Sequence, residues 1–440
     1  MNSLYESEIE ELALALLHDE NDYDVLYGPD ISGDAGSERA FTEVILAERL
    51  RTAIDRINPD IPADARTEAF RIARRTPALT LLENNEAFHR LLTDGVDVKF
   101  GIGEGKSRTD KVWLVDWETP ENNRFLAVNQ FTVIEGQNHK RPDIVIFING
   151  LPLVVIELKN PADEQADTLA AYRQLQTYQQ LIPSLFHYNA FMVVSDGWFA
   201  KVGALTSEYP RFMEWKTADG ITIVDSRREA ELEPLILGLF NKSTLLDVIR
   251  HFIVFEHSRD AVHKKIAAYH QYYAVNRALQ STIRASSGER SRAIAETPEV
   301  YSLPNVADQR PGDQRAGVVW HTQGSGKSLS MVFYTGKLVL AKAMNNPTVV
   351  LITDRNDLDQ QLFGTFSSCQ QLIRQSPVQA ANRDELKKLL AVASGGIVFS
   401  TIQKFFPDQK GGVYPLLSER RNIVVIADEA HRSQYDFIDG

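Results

Sequence analysis

The chain has 440 residues, of which 43% are hydrophobic and 24% charged, a composition typical of a globular protein with two or three domains. Its formal net charge of -12 argues against a stand-alone DNA-binding protein, because Lys and Arg supply most non-specific affinity for phosphates. The single cysteine, Cys369, excludes an internal disulfide and a cysteine-rich zinc site. The acidic N-terminus is unlike a signal peptide, and no apolar run approaches the roughly 20 residues that cross a bilayer. We therefore expect a soluble, cytoplasmic protein with no membrane partner.

The first half of the chain mixes helical and strand periodicity. Gly28–Gly36 is predicted to be a loop because it is rich in Gly, Pro and Asp. Helical spacing of apolar residues predicts helices at 6–17, 38–57, 83–93 and 163–182. Segments rich in Val, Ile, Phe and Trp predict strands at 111–117, 124–134, 142–149, 151–159 and 190–195. We expect one domain with a mixed sheet over residues 1–245.

The second half has a more regular alternation. A helical segment is predicted from about 246 to Gln271, and the polar stretch 285–314 is predicted to be an exposed loop. Strands are predicted at 316–320, 347–353, 396–400 and 422–427, and helices at 326–343, 356–363 and 383–393. Strands that alternate with helices indicate a parallel sheet covered on both faces. We expect an α/β domain over residues 246–440.

Three charged residues interrupt two apolar segments on either side of Asn149-Gly150. This dipeptide is the strongest short signal for a hairpin. Glu157 and Lys159 lie two apart in the second strand, so both side chains leave the same face. Asp143 lies in the first strand, and its face depends on the register.

Two registers are open. A two-residue turn pairs residue 148 with 151 and residue 143 with 156, which puts Asp143 on the face opposite Glu157. A three-residue loop over 148–150, with Gly150 left-handed, pairs residue 147 with 151 and residue 143 with 155, so that Asp143 shares the face of Glu157. We predict the three-residue loop.

The chemistry of these side chains is that of a nuclease. Asp143 and Glu157 could hold Mg²⁺, which accepts oxygen ligands and lowers the pKa of bound water, while Lys159 could orient that water or neutralise phosphate charge. A lone Glu-x-Lys is more often a solvent-facing sheet edge. The order Pro-Asp, hairpin, Glu-x-Lys resembles the PD-(D/E)xK nucleases. Glu83 and Glu86 are candidates for the upstream helical glutamate of that superfamily, with a solvated helix face as the alternative.

A glycine-rich segment, His321–Ser328, stands between a predicted strand and a predicted helix, which is where a phosphate-binding loop occurs. Its glycines let backbone N–H groups approach phosphates. In this arrangement Lys327 reaches the β- and γ-phosphates of ATP, and the Ser328 hydroxyl is a ligand of Mg²⁺. The nucleotide-binding residues are predicted to be Thr322, Gly324, Ser325, Gly326, Lys327 and Ser328.

Asp428 and Glu429 follow the apolar strand 422–427. An aspartate at the end of such a strand is suited to hold Mg²⁺, and the adjacent glutamate is suited to polarise the attacking water. An acidic pair after an apolar strand can instead be a helix cap. The phosphate-binding loop favours the ATPase interpretation, and His431 resembles the residue that couples hydrolysis to movement in DEAH-type helicases.

Shorter segments resemble further helicase motifs. Thr401, Gln403 and Lys404 resemble motif Ib, whose loop touches the DNA backbone, and their side chains can donate to phosphate. Arg355 resembles part of motif Ia, although a helix-cap ion pair explains it equally well. Gln271 resembles the glutamine that reads adenine, with an amphipathic-helix position as the alternative.

Taken in order, these motifs resemble the R subunit of type I restriction enzymes over essentially the whole chain, and Gln174 with Tyr178 resembles that family's Gln-x-x-x-Tyr pair. The resemblance implies a PD-(D/E)xK nuclease domain, a first RecA-like motor domain, Mg²⁺ and ATP as cofactors, and duplex DNA as substrate. It also implies methyltransferase and specificity subunits as partners, and ATP-driven translocation with cleavage far from the recognition site.

The chain ends soon after the acidic pair, and the family's second RecA-like domain is absent from this sequence, so we expect that residues 1–440 cannot translocate. Two other functions stay open. One is a stand-alone helicase–nuclease of repair or defence. The other is an assembly module with idle active sites. The missing second motor domain favours this alternative for the ATPase half, and the complete Asp143, Glu157, Lys159 set argues against it for the nuclease half.

Overall fold

The computed structural model describes residues 6–33, 37–103, 105–160, 167–287, 312, 314–353, 356–406 and 416–429. The chain divides into two compact units, Met1–Ile253 with Lys264–Tyr269 and Val254–His263 with His270–Gly440. Both units are mixed α/β structures. Within the described ranges, no helix is long and apolar enough to cross a membrane.

A seven-stranded mixed sheet is the centre of the first unit. Its strands, in spatial order, are β1 (Asp24–Tyr27), β4 (Phe125–Asn129), β7 (Ile144–Ile148), β8 (Leu151–Leu158), β9 (Phe191–Ser195), β10 (Ala200–Gly203) and β11 (Met213–Glu214). The β1–β4 and β8–β9 pairs are parallel, and the other neighbours are antiparallel. Every residue of β7, β8 and β9 is buried, as expected for strands covered on both faces. Two small hairpins lie outside this sheet: β2 (Val96–Gly103) with β3 (Lys106–Val112), and β5 (Val133–Glu135) with β6 (Asn138–Lys140).

Some helices of the first unit begin where a side chain accepts from a free backbone N–H group. Thr80 and Glu83 form a reciprocal capping box, and Asp167 and Asn241 accept from the first turns of two later helices. The helices are α1 (Glu6–Ala15), α2 (Gly28–Ile31), α3 (Ala47–Ile57), α4 (Ala63–Ala73), α5 (Leu81–Asp94), α6 (Thr168–Leu181), α7 (Pro183–Phe186), α8 (Leu232–Leu239) and α9 (Lys242–His251). A π-helical turn, Leu16–Glu20, follows α1.

The turn between β7 and β8 has two residues, so the predicted three-residue loop is wrong. Ile148 pairs with Leu151, and Asn149 and Gly150 have φ values of 54° and 83°, as a type I′ turn requires. Gly150 is obligatory because a Cβ there would lie 2.5 Å from the carbonyl oxygen of Leu46.

An irregularity appears further along the hairpin instead. Phe147 pairs with Pro152, but Ile146 pairs with Val154, so β8 contains an extra residue at this point. Beyond it the register runs to Ile144 opposite Ile156. One more step of the same register places Asp143 opposite Glu157, on one face.

The second unit contains a four-stranded parallel sheet, as predicted. Its order is β15 (Pro377–Gln379), β16 (Ile397–Thr401), β14 (Thr348–Thr353) and β17 (Ile423–Ala427). The helices are α10 (Tyr269–Ser286), α11 (Lys327–Leu340), α12 (Asn356–Ser368), α13 (Gln370–Ile373) and α14 (Arg383–Leu390). Val350 and Val398 of neighbouring strands pack with Leu386 and Leu390 of α14 in a buried cluster.

Several sequence-based expectations differ from these elements. The helix predicted at 38–57 begins at Ala47, and the strand predicted at 111–117 ends at Val112. The helix predicted from 246 to 271 is interrupted by β12 (Ile253–His257) and β13 (Val262–Ile266), whose β-branched residues favour strands. The strand predicted at 316–320 does not form, and Val318 and Trp320 are 88% and 87% exposed. No described strand offers these apolar residues a neighbour, so apolar composition alone does not make a strand there. The segment 28–36, predicted to be a loop, contains α2.

Candidate active sites

Asp143, Glu157 and Lys159 come together at one end of the β7–β8 hairpin. Asp143 is buried and its Oδ2 accepts from the backbone N–H of Leu158 at 2.7 Å. Lys159 Nζ lies 3.0 Å from Glu157 Oε1 and donates to the carbonyl of Leu158 at 2.7 Å. The backbone N–H of Lys159 donates to Ser195 O of β9, which holds the end of this strand in the sheet.

The two acids are in an environment that disfavours their charge. Burial raises the pKa of Asp143 to about 6, although the N–H of Leu158 and the Lys159 ammonium oppose the shift. Burial also raises the pKa of Glu157, and the neighbouring Asp143 carboxylate raises it further. Burial alone would lower the pKa of Lys159, but the Glu157, Asp143 and Glu6 carboxylates together outweigh burial and raise it. A second positive charge would stabilise both carboxylates.

These acids fit a metal ion of the Mg²⁺ type. Glu157 is fully buried, and its Oε2 has no hydrogen-bond partner in the described part of the chain. A buried carboxylate oxygen without a donor is what a cation ligand requires before the cation binds. Among the described residues no cluster of three or more His, Cys, Asp or Glu is arranged to hold a metal. Mg²⁺ needs only one or two carboxylates, because waters and substrate phosphate complete its shell.

Gln174 and Tyr178 of α6 lie beside the acids. Gln174 Nε2 donates to Tyr178 Oη at 2.6 Å, and Tyr178 Oη lies 3.4 Å from the carbonyl oxygen of Arg141. Burial raises the pKa of Tyr178, and the Glu157 carboxylate adds to the shift, so the phenol stays neutral near neutral pH. The pair is therefore within electrostatic reach of the same acids.

Neither candidate for the upstream glutamate is at this site. Glu83 is part of the capping box of α5, and Glu86 forms an ion pair with Arg90 at 2.6 Å. The structure brings Glu6 and Glu10 of α1 instead, and both raise the pKa of Asp143. Glu6 Oε1 lies 3.9 Å from Lys159 Nζ. Their spacing of four residues places both on one helix face, but that spacing alone does not indicate that the face meets Asp143.

Glu10 is held by two side-chain amides at the end of β4. Its carboxylate oxygens accept from Asn129 Nδ2 and Gln130 Nε2, each at 2.6 Å. Gln130 in turn donates its backbone N–H to the carbonyl of Asp143 at 2.8 Å. The N-terminal helix is thereby linked to the strand that carries Asp143.

The glycine-rich loop of the second unit leads directly into α11. Gly324 and Gly326 both have φ of +81°, and Gly326 is the N-cap of the helix that starts at Lys327 and continues with Ser328. Ser325 folds back, its Oγ donating to the carbonyl of Thr322 at 2.7 Å. The free N–H groups at the start of α11 provide a place for phosphate.

The end of β17 lies against this loop. Lys327 Nζ is 3.4 Å from Glu429 Oε1, and the N–H of Asp428 donates to Ile352 O of the neighbouring strand. Burial raises the pKa of Asp428, Glu429 raises it further, and Lys327 opposes both. The lysine and the acidic pair are thus close in space although they are far apart in the chain.

Gln271 is buried beneath the loop, and its Nε2 donates to the carbonyl of Gly326 at 3.1 Å and to Ser330 Oγ at 3.3 Å. His270 contacts Ser325 O at 3.3 Å. In this arrangement the glutamine supports the phosphate-binding loop, and adenine reading stays a prediction.

The predicted DNA-contacting residues lie where β16 ends. Thr401 is buried at the end of that strand, and Gln403 and Lys404 belong to the 3-10 turn Ile402–Phe405. Lys404 Nζ donates to the carbonyl of Ala380, so a phosphate would have to compete with that bond. Arg355 and His431 lie outside the described residues.

Family models match the two halves of the chain separately. Residues 3–211 match the family model of the type I restriction enzyme R protein N terminus, and residues 270–439 match that of the SWI2/SNF2 ATPase. The chain is 44% identical to the type I restriction enzyme HindI endonuclease subunit of Haemophilus influenzae, an alignment that includes 99% of this chain. The chain is a homologue of the type I restriction enzyme endonuclease subunits.

Other relatives carry similar names. Over 94% of its own length, the chain is 33% identical to the putative type I restriction enzyme MjaIXP endonuclease subunit of Methanocaldococcus jannaschii. It is 26% identical, over 81% of its length, to the type I restriction enzyme SauMSSORF170P endonuclease subunit of Staphylococcus aureus. The chain spans 39%, 38% and 34% of these three relatives, respectively.

Proposed function

We propose that this type I restriction homologue carries a Mg²⁺-dependent DNA nuclease in its first unit and an ATP-binding motor lobe in its second. The nuclease proposal rests on one observation: Asp143, Glu157 and Lys159 lie close together, and the buried Oε2 of Glu157 accepts from no donor in the described part of the chain. That convergence favours an active nuclease over an idle assembly module. In this proposal the first unit is a PD-(D/E)xK fold and the second is a first RecA-like lobe, with the boundary near residues 253–270.

In the nuclease, Asp143 and Glu157 would hold Mg²⁺, which supplies a water of lowered pKa and neutralises phosphate charge. Lys159, already beside Glu157, would orient that water or stabilise charge on the scissile phosphate. The Gln174–Tyr178 pair would position the phosphate with the amide and the phenol, both neutral donors. Glu6 and Glu10 would add negative charge on the side of the site formed by α1.

In the motor lobe, the loop of Thr322, Gly324, Ser325 and Gly326 would bind the phosphates of ATP together with Lys327. Ser328 and Asp428 would bind the Mg²⁺ of the nucleotide, and Glu429 would polarise the attacking water. The 3.4 Å contact between Lys327 and Glu429 supports this proposal, since both groups would face the γ-phosphate. Thr401, Gln403 and Lys404 would contact the backbone of duplex DNA.

The whole protein would be the restriction subunit of a type I system, working with methyltransferase and specificity subunits. ATP-driven translocation along duplex DNA and cleavage away from the recognition site would belong to that assembly. The net charge of -12 supports delivery of DNA by partners, because an acidic chain gains little from long-range attraction to phosphates.

The test of the nuclease is nicking of supercoiled plasmid by residues 1–440 with Mg²⁺, beside Asp143→Ala and Lys159→Ala. We expect nicking that both substitutions reduce by about 100-fold or more. Asp97→Ala is the matched control, because Asp97 forms a surface ion pair with Lys111. Nicking that persists in both site variants would overturn the proposal. A chain that does not nick would be tested with the same substitutions in the complex with its partner subunits.

A further inference from the structure

The loop after β9 exposes two adjacent aromatic side chains. Trp198 and Phe199 are 42% and 43% exposed, whereas the strand before them is fully buried. Large aromatic residues are the main apolar contributors to cores, and neighbouring exposed ones usually mark a contact surface.

This loop is held rigidly by buried polar groups. The carboxylate of Asp196 accepts from the backbone N–H groups of Trp198 at 3.0 Å and Phe199 at 2.7 Å. The carbonyl of Trp198 accepts from the N–H of Glu231 at 2.7 Å, and the indole Nε1 donates to Ser226 O at 2.8 Å. The loop backbone and the Trp198 indole are therefore positioned before any ligand binds, which reduces the entropy cost of binding.

The loop lies at the same sheet edge as the nuclease residues. Because β8 and β9 are parallel, their carboxyl ends meet at one edge, and Lys159 N–H bonds to Ser195 O at 2.9 Å. Gly197 sits against α1, since a Cβ there would lie 3.0 Å from Ile9 Cδ1. The same helix carries Glu6, 3.9 Å from Lys159.

We propose that Trp198 and Phe199 form a stacking platform for DNA bases that are unstacked next to the scissile phosphate. The inference rests on the proposed nuclease function. A DNA strand whose phosphate reached Lys159 would lie beside the end of β9, because Lys159 is hydrogen-bonded to Ser195 there. An exposed aromatic face at that place suits a nucleobase in any sequence context. Such a platform would favour DNA that is locally opened or bulged over an intact duplex.

The experiment uses residues 1–440 carrying Asp143→Asn, which removes one proposed metal ligand while keeping its shape. The probe is a duplex with a short central bulge that contains 5-iododeoxyuridine, which crosslinks to stacked aromatic side chains on irradiation. We expect crosslinks to Trp198 and Phe199, and binding about tenfold weaker after Trp198→Leu with Phe199→Leu. Trp198→Phe, which keeps a stacking face, should retain most of the affinity. Ile223→Ala, on another exposed apolar residue, should bind like the parent.

The outcomes separate the two proposals. Plasmid nicking is compared between the chain with wild-type Asp143 and the Asp143→Ala variant. If nicking persists in the variant, the nuclease proposal itself is overturned. Nicking that depends on Asp143, together with unchanged bulge binding and crosslinking in the double leucine variant, would overturn the platform alone. Leucine variants that bind DNA normally but lose association with partner subunits would identify the loop as a protein interface and would also overturn the platform.

Discussion

The two candidate sites are assembled from different distances along the chain. In the first unit Asp143, Glu157 and Lys159 lie on one hairpin, so the local register brings them together. In the second unit Lys327 and Glu429 are 102 positions apart, and the parallel sheet brings them within 3.4 Å. The site in the first unit depends on the two-residue turn and on the extra residue in β8, whereas the site in the second unit depends on the order of several strands.

The two sites also differ in how their charges are solvated. Glu157 has a side chain that is 0% exposed, while the Lys327 and Glu429 side chains are 38% and 25% exposed. When no metal ion is bound, the buried carboxylate charge of the proposed nuclease site therefore destabilises the protein more than the partly exposed charges of the proposed nucleotide site do. In the first unit we therefore expect that substitutions that neutralise a buried acid of the site lower nuclease activity and raise stability.

The largest effect is expected for Glu157→Gln. Nicking should fall by about 100-fold or more, because a proposed Mg²⁺ ligand is lost. The free energy of unfolding in EDTA at alkaline pH should rise, because burial and the Asp143 carboxylate raise the pKa of Glu157 and make its charge unfavourable in the folded state. Plasmid nicking and urea denaturation measure the two quantities.

Glu231→Gln is the matched control for Glu157→Gln, since Glu231 is also fully buried but accepts from Ala200 N–H and Ser226 Oγ. That substitution should lower stability. A Glu157→Gln variant less stable than the parent would mean that Lys159 fully compensates the Glu157 charge, and the contrast between the two units would then not hold.

The proposed nuclease residues stand out in the sequence because three charges interrupt apolar strands beside an Asn-Gly turn. The register of the hairpin could not be predicted from the sequence. The extra residue in β8 lies near Phe147 in a run where every residue is apolar, so no change of polarity marks its position. The predicted three-residue loop and the observed extra residue in β8 each shift the pairing by one residue relative to a regular two-residue hairpin. Either shift places Asp143 on the same face as Glu157, so the shared face was expected although the predicted turn was wrong. Glu6 and Glu10 were missed because nothing local connects α1 to residue 143.

In the second unit the alternation of elements predicted the parallel sheet, because β14, β16 and β17 are each apolar and each followed or preceded by helical periodicity. The same criterion failed at 316–320, where Val318 and Trp320 are exposed. Strand formation depends on a neighbouring backbone as well as on apolar residues, and sequence periodicity carries no information about that neighbour.

The pH dependence of stability should distinguish Asp143 from an ordinary surface acid. Its pKa is raised from 3.8 to about 6, so the folded state binds a proton more readily than the unfolded state. Its charge should therefore destabilise the metal-free protein by about 2–3 kcal/mol above pH about 6 and by nothing below pH about 4. Asp143→Asn should be more stable than the parent by that amount in EDTA near pH 8, with the gain disappearing as pH falls. A gain independent of pH would contradict the burial argument.

Lys327→Ala should separate the two units functionally. The loss of a charge-assisted contact with phosphate should weaken ATP binding by about 10-fold to 100-fold, measured by titration calorimetry. Plasmid nicking by residues 1–440 should be unchanged, because no residue of the nuclease site is altered. Lys337→Ala is the control: this lysine is on the same helix and donates to Asn276 Oδ1, away from the loop. An equal loss of ATP binding in both variants would indicate a general effect on the helix.

The smallest effect is expected from two glycines of the phosphate-binding loop that have the same backbone conformation. Gly324 and Gly326 both have φ of +81°, where any Cβ costs about 1 kcal/mol. A Cβ on Gly326 would also lie 2.7 Å from Gln271 Nε2, whereas a Cβ on Gly324 meets nothing within 4 Å. Gly326→Ala should therefore lower the stability of the second unit by more than Gly324→Ala, by about 1 kcal/mol, because the Gln271 amide loses its bond to the Gly326 carbonyl. Thermal unfolding of both variants measures the difference, and the difference between the two glycine variants should disappear when both also carry Gln271→Ala. Equal stabilities of the two single variants would mean that Gln271 moves aside freely, and the proposal that it supports the loop would fail.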